Sequence, residues 1–411
     1  MPARPDDGRV TTLTKPAPPG FLRSRVGGLP RVFWVLWGGT FLSRLGAMVA
    51  PFLGLYLVTV RGLSLGQSGV VMAVLGVGTL AGQVLGGVLA DRVGRRFTLT
   101  LATIASGAAM IALGYAATFP LLLAAALALG LFMDMHRPAA QAVVGDIVPA
   151  ADRPRAFGLL FWAINFGYAV AMVTGGTLAE RGFLWLFWIN AAVCAAYGLL
   201  VWRAVPETRP PYVPGGPGFR AVLRDRVMVV YCLLTLVFTL VLMQCMTTMP
   251  LAMRADGLSA RAYGLVVAAN GVLIVLVQPL VTAWLSRRDS SRVMAAGCAL
   301  VGVGYGLTAL FDSFAGYAVA VVVWTAGEIV AATVVQAIVA DLAPPDLRGR
   351  YNAVYGLAWS GGFMLAPILG TRLLERGTSV LWLTCLALGL LAAAGQLALR
   401  PAVRRRHLSS V

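Results

Sequence analysis

Gly86-Gly87-Val88-Leu89-Ala90-Asp91-Arg92-Val93-Gly94-Arg95-Arg96 separates two long apolar runs, Val70 to Leu85 before it and Phe97 to Phe119 after it. One acid and three arginines are thus confined to a short, Gly-bearing turn. Each flanking run belongs to a stretch of about 20 residues, enough to cross the hydrocarbon of a bilayer. A short basic connection of this kind belongs on the cytoplasmic side, where Lys and Arg near membrane ends are retained.

The composition extends that reading to the whole chain. Apolar residues fill 59% of 411 positions, charged residues only 12%, and mean hydropathy is +0.82. A soluble core has no use for so much apolar surface, so the chain reads as a polytopic, all-α membrane protein. The formal charge is +17 and Lys15 is the single lysine. Nucleic-acid binding is not the explanation, because the arginines gather at 92–96, 153–155, 203–226, 287–292, 348–350 and 400–406, in alternate connections between apolar stretches. That pattern predicts a plasma (inner) membrane protein with both termini cytoplasmic. All five cysteines (Cys194, Cys232, Cys245, Cys298, Cys385) fall inside apolar spans without metal-ligand spacing, and only His136 and His407 could add imidazole. No metal and no cofactor is expected. Residues 1–30, rich in Pro, Gly and Arg, lack the apolar core of a signal peptide and read as a disordered cytoplasmic tail.

Twelve spanning segments follow from the apolar windows: 32–59, 66–90, 97–118, 120–147, 155–179, 184–203, 227–253, 260–285, 293–312, 315–342, 351–373 and 379–399. Between the sixth and seventh, Ala204 to Arg226 carries Pro206, Pro210, Pro211, Pro214 and Pro217. It reads as a cytoplasmic linker, 204–226, between bundles at 31–203 and 227–399, with a basic tail at 400–411. The two halves repeat. Gln141-Ala142-Val143-Val144-Gly145-Asp146-Ile147-Val148-Pro149 matches Gln336-Ala337-Ile338-Val339-Ala340-Asp341-Leu342-Ala343-Pro344, an offset of 341 − 146 = 195. The same shift places Gly62-Leu63-Ser64 on Gly257-Leu258-Ser259, Gln83 on Gln278, Arg153 and Arg155 on Arg348 and Arg350, and Glu180-Arg181-Gly182 on Glu375-Arg376-Gly377. No gap is needed, and an even number of spans between repeat starts makes the repeat parallel, as two six-helix bundles require.

The pattern Gly-x-Leu-Ala-Asp-Arg-x-Gly-Arg-Arg within Gly86–Arg96 resembles the loop between helices 2 and 3 of the major facilitator superfamily, and the resemblance runs from about residue 31 to 399. Short length and compact loops are most similar to the twelve-helix drug:proton antiporters. The resemblance implies a gate that steadies the outward-facing state. In it Asp91 lies near the end of helix 11 with Arg92 close by, Arg95 reaches Asp146, and Gly87, Gly94, Arg96 and Arg153 complete the constellation. A purely topogenic basic loop is the plainer reading of the same residues. The second-half equivalent, Ser286 to Arg292, has Ser286 where the first has Asp91, so the switch is expected to be lopsided. Exporters of the superfamily often carry Gly-Pro followed by Gly-Gly in helix 5. Here Gly167, Gly175 and Gly176 are present, but Ala171-Met172 stands in place of Gly-Pro. Gly362, Ala366-Pro367 and Gly370 recur in helix 11, and close helix packing explains both sets equally well.

Charges deep in the membrane are expensive and usually face a cavity or a partner. Arg44 lies 44 − 31 = 13 residues from Arg31, Asp134 lies 146 − 134 = 12 from Asp146, and Glu328 lies 341 − 328 = 13 from Asp341. At the helical rise these are depths of about 18–20 Å, near the midplane, where transporters place their sites. Asp134 paired with Arg137 or Arg44 would be a fixed, neutralised pair; broken by substrate or proton, it would be functional. Glu328 has no base on its own helix, and low dielectric favours the uncharged, proton-carrying form of such a group. It is the first candidate for proton coupling, with a hydrogen-bonded packing role as the alternative. His136, Tyr56, Asn165, Tyr168, Gln244, Asn270, Trp324 and Trp359 could complete a substrate cavity, whose aromatic walls would favour apolar or cationic organic solutes.

No nucleophile triad, phosphate-cradling loop or metal cluster is found, so neither an enzyme nor ATP-driven transport is expected. The sequence predicts a monomeric secondary transporter in a lipid bilayer, exchanging a small amphipathic or drug-like solute for protons by alternating access. Uptake of a small anion bound by Arg44 and Arg137 is a second reading, since Arg pairs carboxylates bidentately. A non-transporting receptor on the same fold is a third.

Overall fold

The computed structural model describes residues 29–148, 152–207, 220–344 and 347–410. The tail at 1–28 and most of the linker therefore lie outside the described residues. The helices α1 to α12 are Arg31–Gly46 resumed by Val49–Thr59, Leu65–Arg92, Arg95–Tyr115, Phe119–Ile147, Arg153–Arg181, Leu184–Ala204, Arg226–Leu242 resumed by Gln244–Thr247 and Met249–Ala255, Ala260–Leu285, Ser290–Leu307, Phe314–Ala332 resumed by Val335–Leu342, Arg348–Arg376, and Thr378–Ser410. All twelve contain a stretch long and apolar enough to cross a membrane.

Three expected helices, α1, α7 and α10, are broken, and proline accounts for a break in each of the first two. Pro51 has no N–H for the Ala47 carbonyl and its ring crowds that oxygen, so α1 breaks at Ala47 and Met48. In α7, Pro250 falls beside an interruption that Gln244 repairs. Its amide oxygen accepts from the Thr248 hydroxyl at 2.7 Å and the Thr247 hydroxyl at 3.1 Å, and its Nε2 donates to Leu240 at 2.9 Å and Ala366 at 3.3 Å. All polar valences of Gln244 are spent on this joint, so it is not a cavity ligand.

Helix pairing obeys the repeat. In the first bundle α1 packs on α5 and α6, α2 on α4, and α3 on α4 and α6. In the second, α7 packs on α11 and α12, α8 on α10, and α9 on α10 and α12. The bundles meet through α5 with α8, α2 with α11, and the second part of α1 with the later parts of α7. These seams close at glycines that are repeat partners. A Cβ at Gly69 or Gly264 would run into the facing helix, against Thr371 and Pro367 or against the Met172 carbonyl. One at Gly76 would lie 2.7 Å from Met364 Cα, and one at Gly271 2.8 Å from the Ala169 Cβ. All of these contacts are on the side away from the arginine-rich turns. Toward the arginine-rich side, Arg31–Gly46 and Val335–Leu342 pack chiefly within their own bundles.

The two repeats cap their third helices differently. Asp289 N-caps α9 with its own carboxylate, accepting from Arg292 N–H at 3.0 Å, and Arg400 Nε binds its other oxygen at 2.9 Å. The repeat position in the first half is Gly94, at φ +139°, and the Glu207 carboxylate occupies the space a side chain would take. Glu207 accepts from the N–H groups of Arg95 at 2.7 Å and Arg96 at 3.2 Å, so the anion favoured at this helix start arrives from beyond α6.

The expected basic tail at 400–411 is instead helical through Ser410, one helix with α12. Val403 is buried, and Arg406 grips Asp225, just ahead of α7, through both guanidinium nitrogens at 2.5 and 2.7 Å. Tyr351 donates to the same carboxylate at 2.7 Å. Burial alone would push the Asp225 carboxyl up. The Arg406 guanidinium, the Tyr351 hydroxyl and the Met228 N–H outweigh it and hold Asp225 below its ordinary value. A lowered carboxyl contributes stability that is full above the ordinary carboxylate range and lost as pH falls through the folded value. Asp225→Asn should therefore lower stability in detergent by about 1–2 kcal/mol at neutral pH, discounted for the half-open guanidinium. Thermal unfolding followed from pH 7 downward should show the wild-type advantage shrinking below the ordinary carboxylate range.

Candidate functional site

The midplane charges of the sequence converge from both bundles, but they do not form one mutually paired cluster. In the first bundle, Asp134 of α4 binds Arg137 Nε at 3.0 Å, and Gln83 of α2 donates to its other oxygen at 3.4 Å. The i,i+3 spacing that suggested this pair is realised. His136 turns back on its own helix, its Nδ1 2.8 Å from the Met133 carbonyl. A carbonyl can only accept, so that nitrogen carries the hydrogen. Arg44 of α1 packs against α5 where Gly167 leaves room, since a Cβ there would lie 2.8 Å from Arg44 Cβ. Arg137, Asp134 and Tyr168 lie within its electrostatic range. Among the described residues Asp134 is paired with Arg137 and not with Arg44. Two guanidinium groups thus face one carboxylate, leaving this wall with an excess of positive charge.

Across the seam Glu328 of α10 accepts from Asn270 Nδ2 of α8 at 2.7 Å, and the same amide donates to Thr325 at 3.1 Å. No ion pair holds Glu328 among the described residues. It can gain or lose a proton without breaking one, whereas Asp134 cannot. Tyr168 of α5 lies within range of both Glu328 and Arg44, and its buried hydroxyl has no partner among the described residues. It stands between the positive wall and the lone acid. On the closed side of these groups, Leu53, Met72, Leu75, Met246, Phe363 and Pro367 line a small apolar pocket drawn from both bundles.

The remaining expected cavity residues divide. Asn270 belongs to the site through Glu328. Asn165 is bonded to its own helix, Nδ2 to the Phe161 carbonyl at 2.9 Å, and Trp359 is half-buried against the core. Tyr56 lies inside the first bundle instead. It donates to the Gly114 carbonyl at 2.9 Å, takes a hydrogen bond from Arg61 at 2.6 Å and packs on Phe187. Trp324 is inside the second bundle, stacked on Tyr305, which stacks in turn on Trp382. Neither reaches the seam. Gln83 and Thr325 are site residues that the sequence did not single out as such. A polar side chain one turn before Glu328 was the available signal for Thr325.

Only part of the expected gating constellation falls among the described side chains. Asp91 and Arg92 are exposed, and no ion pair joins Asp91 to a described residue. Gly87 faces open space. Arg95 is buried, and Arg96 lies over the Trp202 ring at 4.5 Å. The side chains of Asp146 and Arg153 lie outside the described residues, and so does any contact of Arg95 with Asp146. Gly167, Gly175 and Gly176 meet α1 and α8 at close range, the packing role that the sequence left open.

A family model described as Major Facilitator Superfamily matches residues 36–259 and 245–410. A Na(+), Li(+), K(+)/H(+) antiporter of Planococcus maritimus is 25% identical over 370 residues, 81% of this chain and 87% of that protein. The multidrug resistance protein MdtG of Yersinia enterocolitica is 31% identical over 188 residues, 44% of this chain and 45% of its own. Among solved structures, a POT family transporter in complex with 5-aminolevulinic acid superposes with a TM-score of 0.80 at 14% identity, over 92% of this chain and 98% of its own. A match across nearly all of both bundles makes the chain a member of the major facilitator superfamily, a membrane-embedded transporter of small molecules and not an enzyme.

Proposed function

We propose that the chain is a proton-coupled exporter of small amphipathic or drug-like organic compounds, working by alternating access. The observation that carries this reading is Glu328, a membrane-buried acid held by a neutral amide and by no cation among the described residues. A solute with an apolar body and a cationic group would match the pocket around Leu53, Met72 and Phe363 together with the Glu328 carboxylate. Proton and cation then compete for one acid, which is the basis of exchange. The antiporter and multidrug names of the two relatives support the same class. With the arginine-rich side and both termini taken as cytoplasmic, the side closed at Gly69 and Gly264 faces outward, away from the cytoplasmic one. Asp91, Arg92, Arg95 and Asp146 would then close that side in the opposite state.

Arg44 favours one other reading. A deep guanidinium not paired with Asp134 is a natural ligand for a carboxylate, so an anion taken up with protons would bind at Arg44 and Arg137. Purified protein in proteoliposomes, given an imposed proton gradient and a panel of organic cations and anions, separates the two. Cations accumulating against the gradient is the expected result. If only anions move, and Arg44→Gln abolishes their flux, the uptake reading replaces it.

A further inference from the structure

The motifs Glu180-Arg181-Gly182/Glu375-Arg376-Gly377 and Gly62-Leu63-Ser64/Gly257-Leu258-Ser259 repeat in both halves yet belong to neither the proton site nor the arginine-rich gate. The structure brings them together across the seam, each with the opposite half's partner. At the end of α11, Glu375 Oε1 accepts from the Gly66 N–H in the first turn of α2 at 2.8 Å. At the end of α5, Glu180 Oε1 accepts from the Arg261 N–H in the first turn of α8 at 3.2 Å. Residues 66 and 261 are themselves repeat partners, as are 180 and 375. Each bundle therefore donates one carboxylate to a helix start of the other, and the two contacts are related by the pseudo-twofold of the fold.

We infer that Glu180 and Glu375 form a reciprocal latch that holds the side opposite the arginine-rich turns closed. Three facts argue for this role over ordinary capping. Ser64 and Ser259 already cap α2 and α8 from within, accepting from Gln67 and Ala262 N–H groups at 3.2 Å each. The glutamates therefore add a cross-bundle hydrogen bond to helix starts that already have a cap of their own. Both lie at the rim, beyond the glycine seams at Gly69 and Gly264, where the ends of α2, α5, α8 and α11 separate first when the bundles rock apart. Both target orphan N–H groups at the positive end of a helix, an interaction that requires contact and is lost on opening. Because the bonds are exposed, each is a modest bias and not a lock, as suits a gate that opens in every cycle. The pair is the counterpart, on the other side, of the single-sided gate at Gly86–Arg96. It is duplicated where that gate is degraded to Ser286.

The inference rests on the two-bundle fold and not on the proposed exchange chemistry, so it is tested without substrate. Spin labels at Thr118→Cys and Asp312→Cys, in exposed turns of opposite bundles, report the separation of this side by pulsed electron resonance. The five native cysteines are buried. Glu180→Ala or Glu375→Ala should each raise the ratio of separated to closed populations by about threefold, and the double variant by about tenfold. The unfolding midpoint should stay unchanged, which a merely structural cap would not allow. Unchanged distance distributions in the double variant overturn the latch. Should that variant fail to fold, Glu180→Gln with Glu375→Gln keeps an acceptor of the same shape but no charge. A smaller shift in the same direction is expected there, and none at all overturns the proposal equally.

Discussion

Glu328→Gln is expected to abolish substrate-driven proton movement while leaving substrate exchange between the two faces largely intact. The amide keeps the size of the acid and can still meet Asn270, so the seam between α8 and α10 survives. What disappears is the one deep acid that, among the described residues, can change its proton count without dismantling an ion pair. Coupling requires one group whose occupancy by proton or solute biases a two-state element. Without it, net proton flux should fall on the order of 100-fold or more, the scale on which a population bias is lost. Exchange of labelled for unlabelled substrate, which needs no net proton transfer, should stay within about threefold, as expected of a neutral and isosteric change. Measured side by side in proteoliposomes, loss of both activities would mean that Glu328 holds the substrate or the fold. Survival of both would move the proton site to Asp134.

The second large effect concerns the closed seam. Gly264→Val places side-chain atoms where the Met172 carbonyl already stands, and neither helix backbone can yield without shifting the whole contact. Overpacking at such a site costs about 2–3 kcal/mol, so the closed arrangement should lose about 30- to 150-fold in population against the opposite one. Only the closed state makes this contact, so the bundles need not unfold. Amide hydrogen exchange is expected to rise in residues 165–176 and 260–271 and to stay as it was in 290–307, deep in the second bundle. Gly158→Ala on the same α5, where a Cβ meets nothing, is the control and should leave both segments unchanged. A uniform rise throughout would indicate general destabilisation instead.

The sequence revealed more of the fold than of the site, and the physical reason is the lipid. Spans are legible because twenty apolar residues in a row have few other uses. The register of the halves is legible because a constant offset of 195 needs no structural knowledge. Which face of a helix looks inward is much harder to read, since lipid-facing and core-facing surfaces are equally apolar. Tyr56 and Trp324 were candidates by residue type alone, and both proved to be packed inside their bundles. Glu328, Asp134 and Arg137 were found because a charge in hydrocarbon is conspicuous on any face. The pairs that tie α12 down, Arg400 with Asp289 and Arg406 with Asp225, join residues 111 and 181 positions apart. No local pattern announces such pairs, which is why a helix through Ser410 read as a tail.

The borrowed cap of α3 gives the two halves different histories during synthesis. The start of α9 is complete as soon as it is made, because Asp289 is its own neighbour in the chain. The start of α3 must wait for Glu207, 112 residues later, an interval of roughly 5–20 s at ordinary elongation rates. Until then the first three helices can insert, but the N–H groups of Arg95 and Arg96 have no carboxylate to close on. The arrival of Glu207 coincides with the emergence of α6, so this one contact marks the moment at which the first bundle has all its members. The second bundle carries no such timer and instead seals its far end last, with Arg400 and Arg406.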